Sequence, residues 1–265
     1  MYPILGRYGP FFFYSYTAVV GSGLLIALAL LRKPARRAIG ERWWHGVVLA
    51  LLVGLWAGRA GFVASQLDYF RLHPGETWRL WLGGLNYHAA LLAALGTLFL
   101  WTRVQAISFY RLAALLAPGA LLWASAGWIA CWLHGCAYGR ETALGWMAAD
   151  LPDQFGVYAV RYQTQLVGAS LFLFLAFLIW RLRSRLPAGP LFWFALAVAS
   201  AGRALISLWR GDPMLEVLGW RLDTIIDSLL ALSAASLFLG MAVRRDLTHR
   251  PTEENDEPES WSRTD

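Results

Sequence analysis

Charge is what this sequence has least of. Only 15% of its 265 residues are Asp, Glu, Lys or Arg, against roughly 25% in an ordinary water-soluble domain. With 58% hydrophobic residues and a mean hydropathy of +0.46, the chain lacks the polar surface to cover itself in water. Cysteine is nearly absent too. Two cysteines, Cys131 and Cys136, exclude the disulfide framework of small secreted domains. The N-terminus shows no basic leader and no small-residue cleavage site after a short apolar core, so the first apolar run is expected to be a retained helix. A net charge of +6 raises the question of nucleic acid. The basic residues, however, fill short gaps between apolar runs, with no continuous stripe and no RNA-binding motif, so no nucleic-acid partner is expected. No internal repeat is found.

What the chain does have is apolar length. Runs long enough to span a bilayer occur at about residues 11–31, 43–65, 84–101, 112–133, 164–180, 190–209 and 222–243. The third is short, and the fourth contains Pro118, which neighbouring helices can accommodate. Many tryptophans, among them Trp43, Trp44, Trp78, Trp101, Trp180 and Trp220, sit at the ends of runs, as in an interfacial aromatic belt. The expected fold class is all-α, a polytopic membrane helix bundle of about seven transmembrane helices. Residues 1–245 form the helical domain with its surface loops, and 246–265 are expected to be a disordered acidic tail. Thirteen basic residues fall in the gaps after odd-numbered helices and seven on the opposite side. The positive-inside rule then places the N-terminus outside and the C-terminus in the cytoplasm. The longer outer segments, 66–81 and 136–163, mix charge with aromatics, and part of each is expected along the membrane surface.

Ionisable residues inside a span are costly and mark cavities or partners. With this topology Tyr16, Arg59, His88, Cys131, His134, Arg203, Asp223 and Asp227 all fall in the outer leaflet. Arg59 and Arg203 at similar depth repel each other unless an anion lies between them, and a phospholipid phosphate matches the guanidinium fork. The alternative is that they pair with Asp223 or Asp227, or snorkel to the interface. His88 follows the glycine-marked turn Gly83-Gly84 into a helix; it suits a general base near neutral pH, or equally a hydrogen-bonded helix start. The spacing Cys131-x-x-His134-x-Cys136 lacks a fourth ligand, so no metal is assigned and packing or a lone thiol is the default. Positions five apart on a continuous helix are too distant for a disulfide, unless Gly135 ends the helix.

Several of these residues lie in segments with a known counterpart. The opening Met1-Tyr2-Pro3-Ile4-Leu5 with Gly9-Pro10 and Tyr14-Ser15-Tyr16 comes first, then Gly58-Arg59-Ala60-Gly61-Phe62-Val63 and Trp81-Leu82-Gly83-Gly84-Leu85-Asn86-Tyr87-His88. Thr164-Gln165-Leu166 follows, and then Gly202-Arg203 with Trp209-Arg210-Gly211-Asp212-Pro213. In this order they resemble the bacterial prolipoprotein diacylglyceryl transferases over nearly all of the membrane part. The resemblance breaks on the fourth helix, where the family's arginine, asparagine and glutamate are Trp128, Cys131 and Cys136, while Tyr138-Gly139-Arg140 persists. The family's histidine-proline is Tyr162-Gln163, and its tyrosine before the sixth-helix arginine is Ala199.

The resemblance implies a multi-pass enzyme of the bacterial cytoplasmic membrane. It would move diacylglyceryl from phosphatidylglycerol, or a similar anionic phospholipid, to the lipobox cysteine in the signal-peptide region of a prolipoprotein. No cofactor is implied. His88 would be the base or its orienter, Arg203 and Arg59 would hold the phosphate, and Tyr16 would bond near the headgroup. Gly83, Gly84 and Arg140 would complete the substrate-binding set. Two alternatives stay open: a divergent relative that binds phospholipid or membrane peptide without turnover, and a membrane thiol enzyme using Cys131 and Cys136.

Overall fold

The computed structural model describes residues 4–9, 11–143, 145–153 and 155–249. Met1, Tyr2, Pro3 and Pro10 of the opening motif, and 250–265 of the expected tail, lie outside these residues. All seven apolar runs fold as helices: α1 (Ser15–Ile39), α2 (Trp43–Ser65), α4 (Tyr87–Val104), α5 (Phe109–His134), α6 (Thr164–Leu182), α7 (Ala188–Ser207) and α8 (Leu222–His249). A short helix, α3 (Leu67–Leu72), follows α2. Among the described residues α1, α2, α5, α6, α7 and α8 are long and apolar enough to cross a membrane. The run expected to be short is α4, 18 residues long and packed along α2. The protein is a multi-pass membrane protein. Leu25, Leu30, Leu52, Phe174, Phe177, Leu232 and Leu239 remain exposed on the helices, as lipid-facing side chains do.

Among the described residues, three two-stranded hairpins depart from the all-helical expectation. Strands β1 (Ile4–Tyr8) and β2 (Phe11–Tyr14) pair antiparallel, so α1 begins at Ser15 and not at residue 11. The aromatic-rich Phe11–Tyr14 stretch satisfies its backbone across the hairpin, which apolarity alone does not distinguish from helix. In the segment 136–163, β3 (Ala148–Pro152) pairs with β4 (Tyr158–Tyr162). The third hairpin, β5 (Glu216–Val217) with β6 (Trp220–Arg221), leads into α8. That last helix runs to His249, past the boundary expected at 245.

Close helix pairing is written in glycine. On α2, Gly54, Gly58 and Gly61 share one face, and a Cβ at any of them would press on Ala90, Asn86 or Ala89 of α4. Small residues at this spacing let two backbones approach where no hydrophobic force in lipid drives them together. The Asn86 N–H donates to the Gly58 carbonyl at 2.8 Å, and the Asn86 side chain caps α4 by accepting from Ala89 N at 3.0 Å. The start of α4, and with it His88, is thereby fixed against α2. A second core lies among α5, α6 and α7, centred on Phe172, Ile179 and Ile206. Along the remaining seams α7 packs on α8, and α1 and α6 pack on α5.

Candidate active site

Because consecutive long helices alternate in direction, the starts of α4 and α8 and the end of α7 share one end of the bundle. There a carboxylate is buried completely. Asp227, on the second turn of α8, has no exposed surface. Arg203 of α7 donates from Nε to both of its oxygens, at 3.2 and 3.1 Å, and His88 of α4 places Nε2 3.1 Å from Oδ1. The His88 contact has ion-pair distance without hydrogen-bond alignment, since Nε2 makes no aligned bond. The Arg203 guanidinium carbon lies over the Tyr87 ring, 3.7 Å from its centroid. Among the described residues its Nη1 and Nη2 and the His88 Nδ1 make no hydrogen bonds.

A second charged group braces the first. Arg210 binds Asp212 and Asp223, and Arg221 binds the same two carboxylates, closing a ring of two cations and two anions. Asp223 sits one turn before Asp227 on α8, so the ring holds the beginning of the helix that carries the central carboxylate. Burial alone would lower the Arg210 pKa; the carboxylates of Asp212 and Asp223 outweigh it and raise it. Ser207 of α7 and Thr224 of α8 add a hydroxyl–hydroxyl bond of 2.6 Å between the two helices.

The expected site residues fare unequally. His88 and Arg203 meet at Asp227. Arg59, 1% exposed, does not join them. It donates from Nε to the Thr77 carbonyl (2.7 Å), from Nη2 to that of Glu76 (2.6 Å) and from Nη1 to those of Gly83 and Gly84. Phe62 and Phe70 cover its guanidinium at 5.7 and 5.2 Å. Carbonyl dipoles thus compensate this charge. Gly83 and Gly84, at φ +78° and +80°, form the turn that offers those carbonyls. Tyr16 is 38% exposed with its ring 5.8 Å from that of His134. Arg140 is exposed and contributes its backbone N–H to the Trp209 carbonyl.

Cys131 and Cys136 are joined by a disulfide, which corrects the expectation of a lone thiol. Gly135 is the physical reason. At φ +87° it ends α5, the N–H groups of Gly135 and Cys136 both return to the Cys131 carbonyl, and the two Cα atoms come within 4.6 Å. Trp128, one turn earlier, is buried against Gly168 of α6, where a Cβ would collide with the indole. Asp227 is the residue that sequence reasoning undervalued, as one of two possible partners for an arginine. Its spacing four residues after Asp223 at a helix start was the available signal.

The prolipoprotein diacylglyceryl transferase model matches residues 3–242. The chain belongs to this family. It is 28% identical over 257 residues to the phosphatidylglycerol–prolipoprotein diacylglyceryl transferase of Bacillus licheniformis, covering 92% of this chain and 95% of that one. The protein of the same description from Geobacillus kaustophilus is 27% identical, covering 87% of this chain and 89% of its own. That of Listeria monocytogenes serotype 4b is 26% identical, covering 89% and 87%. Within the family, then, the sixth-helix arginine and the helix-entry histidine of this chain converge on a single carboxylate.

Proposed function

We propose that this chain transfers a diacylglyceryl group from phosphatidylglycerol, or a similar anionic phospholipid, to the lipobox cysteine of a prolipoprotein. The observation that carries the proposal is the buried Asp227 held between His88 Nε2 and Arg203 Nε, both at 3.1 Å. A carboxylate beside an imidazole stabilises the imidazolium that forms when it takes a proton. Nδ1 then takes the proton of the acceptor thiol, because thiolate is the nucleophile. The sulfur attacks the glycerol carbon that bears the phosphate ester. A C–S bond forms, the C–O bond breaks, and its electron pair leaves on the phosphate of glycerol phosphate. Negative charge develops there, and Nη1 and Nη2 of Arg203 are the donors free to meet it. Tyr16 and Arg140, exposed at the same end, stand at the rim where a headgroup arrives.

Family membership supports the lipid and acceptor classes, and the loop charges support an external position for this end of the bundle. The disulfide supports the same side, since such bonds persist in oxidising compartments. The setting is the bacterial cytoplasmic membrane. The test is conversion of a lipobox peptide into its diacylglyceryl thioether by purified protein with phosphatidylglycerol, read by mass spectrometry, and lost in Arg203→Ala. No product, where an ordinary family member makes it under the same conditions, rejects the proposal. A second function, lipid binding without turnover, is favoured by Trp128 and by the disulfide standing where the family carries arginine, asparagine and glutamate. It predicts phosphatidylglycerol co-purifying with an inactive protein.

A further inference from the structure

The Cys131–Cys136 disulfide closes a turn whose outgoing strand reaches, through its backbone, the start of α6 and the chain that leaves α7. The Cys136 carbonyl accepts from Gln165 Nε2 at 3.1 Å, and the Ala137 carbonyl accepts from Thr164 Oγ1 at 2.7 Å. Gln165 and Thr164 are both buried at the start of α6. Beyond them the chain runs antiparallel to the end of α7. Gly211 N donates to the Tyr138 carbonyl at 2.8 Å, Arg140 N donates to the Trp209 carbonyl at 2.9 Å, and Gly139 pairs with Arg210. The approach is tight, because a Cβ on Gly211 would lie 2.8 Å from the Arg140 Cα and one on Gly139 would collide with the Tyr162 carbonyl. The strand therefore acts as a strap. It presses on the backbone of Arg210, whose side chain binds Asp212 and Asp223 at the head of α8.

We propose that the Cys131–Cys136 disulfide is a positioning element of the transferase site: it anchors the 136–141 strap on the Arg210 backbone, and so keeps Asp227 in register with His88 and Arg203. The proposal rests on the transferase function above. Reduction adds two electrons and two protons to the S–S bond, gives two thiols, and oxidises the added phosphine or dithiol. The strap then loses its covalent origin, while its hydrogen bonds and the helix packing remain. The consequence falls on alignment more than on folding, and misplacement by about an ångström is enough to slow a reaction by roughly a hundredfold.

The experiment uses the full-length protein purified in detergent without reductant, with the bond verified by alkylation before and after reduction. Initial rates of thioether formation are measured against phosphatidylglycerol and lipobox peptide concentration, for oxidised protein, for protein reduced with a phosphine, and for Cys131→Ser/Cys136→Ser. The expected result is a fall in kcat of about tenfold or more in the reduced protein and in the double variant. The melting temperature should be little changed, and reoxidation should restore the rate of the native chain alone. Equal kcat in oxidised and reduced protein overturns the proposal. So does a loss that tracks melting temperature, which marks the bond as a fold staple only. Should the double variant fail to fold, reversible reduction of the native protein decides. An oxidised protein with no activity at all defeats the transferase function itself, a separate outcome.

Discussion

Replacing Asp227 with asparagine removes one charge from a fully buried position. The side chain keeps its shape and one acceptor oxygen, so packing around the start of α8 is preserved. Lost are the attraction to Arg203 Nε at 3.1 Å and the counter-charge 3.1 Å from His88 Nε2. Breaking a buried ion pair by removing one partner costs about 3–5 kcal/mol. The Arg203 side chain retains 15% exposure, so its cation is partly relieved by solvent or headgroup and the lower end applies. The stability loss expected for Asp227→Asn is thus about 3 kcal/mol, measured by urea or thermal unfolding in detergent. The catalytic effect should be larger in proportion. An imidazole without its carboxylate loses imidazolium stabilisation, so kcat for thioether formation should fall by roughly 10² to 10⁴. Both readouts come from one preparation. An Asp227→Asn protein with kcat within about twofold of the native enzyme, however stable, refutes the role assigned to the cluster.

Two further outcomes follow from the surrounding structure. Arg59→Met keeps most of the apolar stem but orphans the carbonyls of Glu76, Thr77, Gly83 and Gly84. It should destabilise the protein by about 2–4 kcal/mol and expose the 74–84 loop to limited proteolysis, whereas a phosphate-binding role predicts a raised KM for lipid with an intact loop. Tyr138 is buried between β4 and the α7–α8 connection; burial first, then the negative charges of Asp153 and Asp212, raise its pKa above the ordinary 10.0 against the opposing Arg161. The folded state thus favours the neutral phenol. Its stability contribution is complete below pH 10 and is lost as pH rises through the higher folded value. Tyr138→Phe should flatten the alkaline limb of the unfolding curve, and an unchanged limb counts against it.

Much of the fold was legible because lipid imposes one strong demand, that backbone polar groups be satisfied within each segment. That demand yields seven apolar runs, each of which forms a helix. It says nothing of Phe11–Tyr14, where aromatics as apolar as any helix bond across a hairpin instead. The site was half legible. His88 and Arg203 stood out as titratable groups at the ends of apolar runs, and resemblance put them in one family's order. Whether Arg59 joined them could not be read, since its partners are main-chain carbonyls in a loop that no side-chain pattern reveals. Nor could the disulfide be read with certainty. Helical spacing forbids it, and only the left-handed Gly135 turn permits it.

The expected difficulty of two repelling arginines is resolved separately at each one, and the way it is resolved shapes what the site can bind. Arg59 is neutralised by carbonyl dipoles on the α2 side. The Arg210–Asp212–Arg221–Asp223 ring balances its own charges. Arg203 and Asp227 balance each other, so with His88 neutral the three form a group of zero net charge. In the proposed function, anion binding by this group therefore depends on direction, namely the two open Nη atoms of Arg203 held over Tyr87. In the proposed reaction, a proton taken from the acceptor thiol by His88 would turn the same group into a net cation at the step in which the phosphate leaves with its extra negative charge, so the proton taken at the start would supply the positive charge needed at the end.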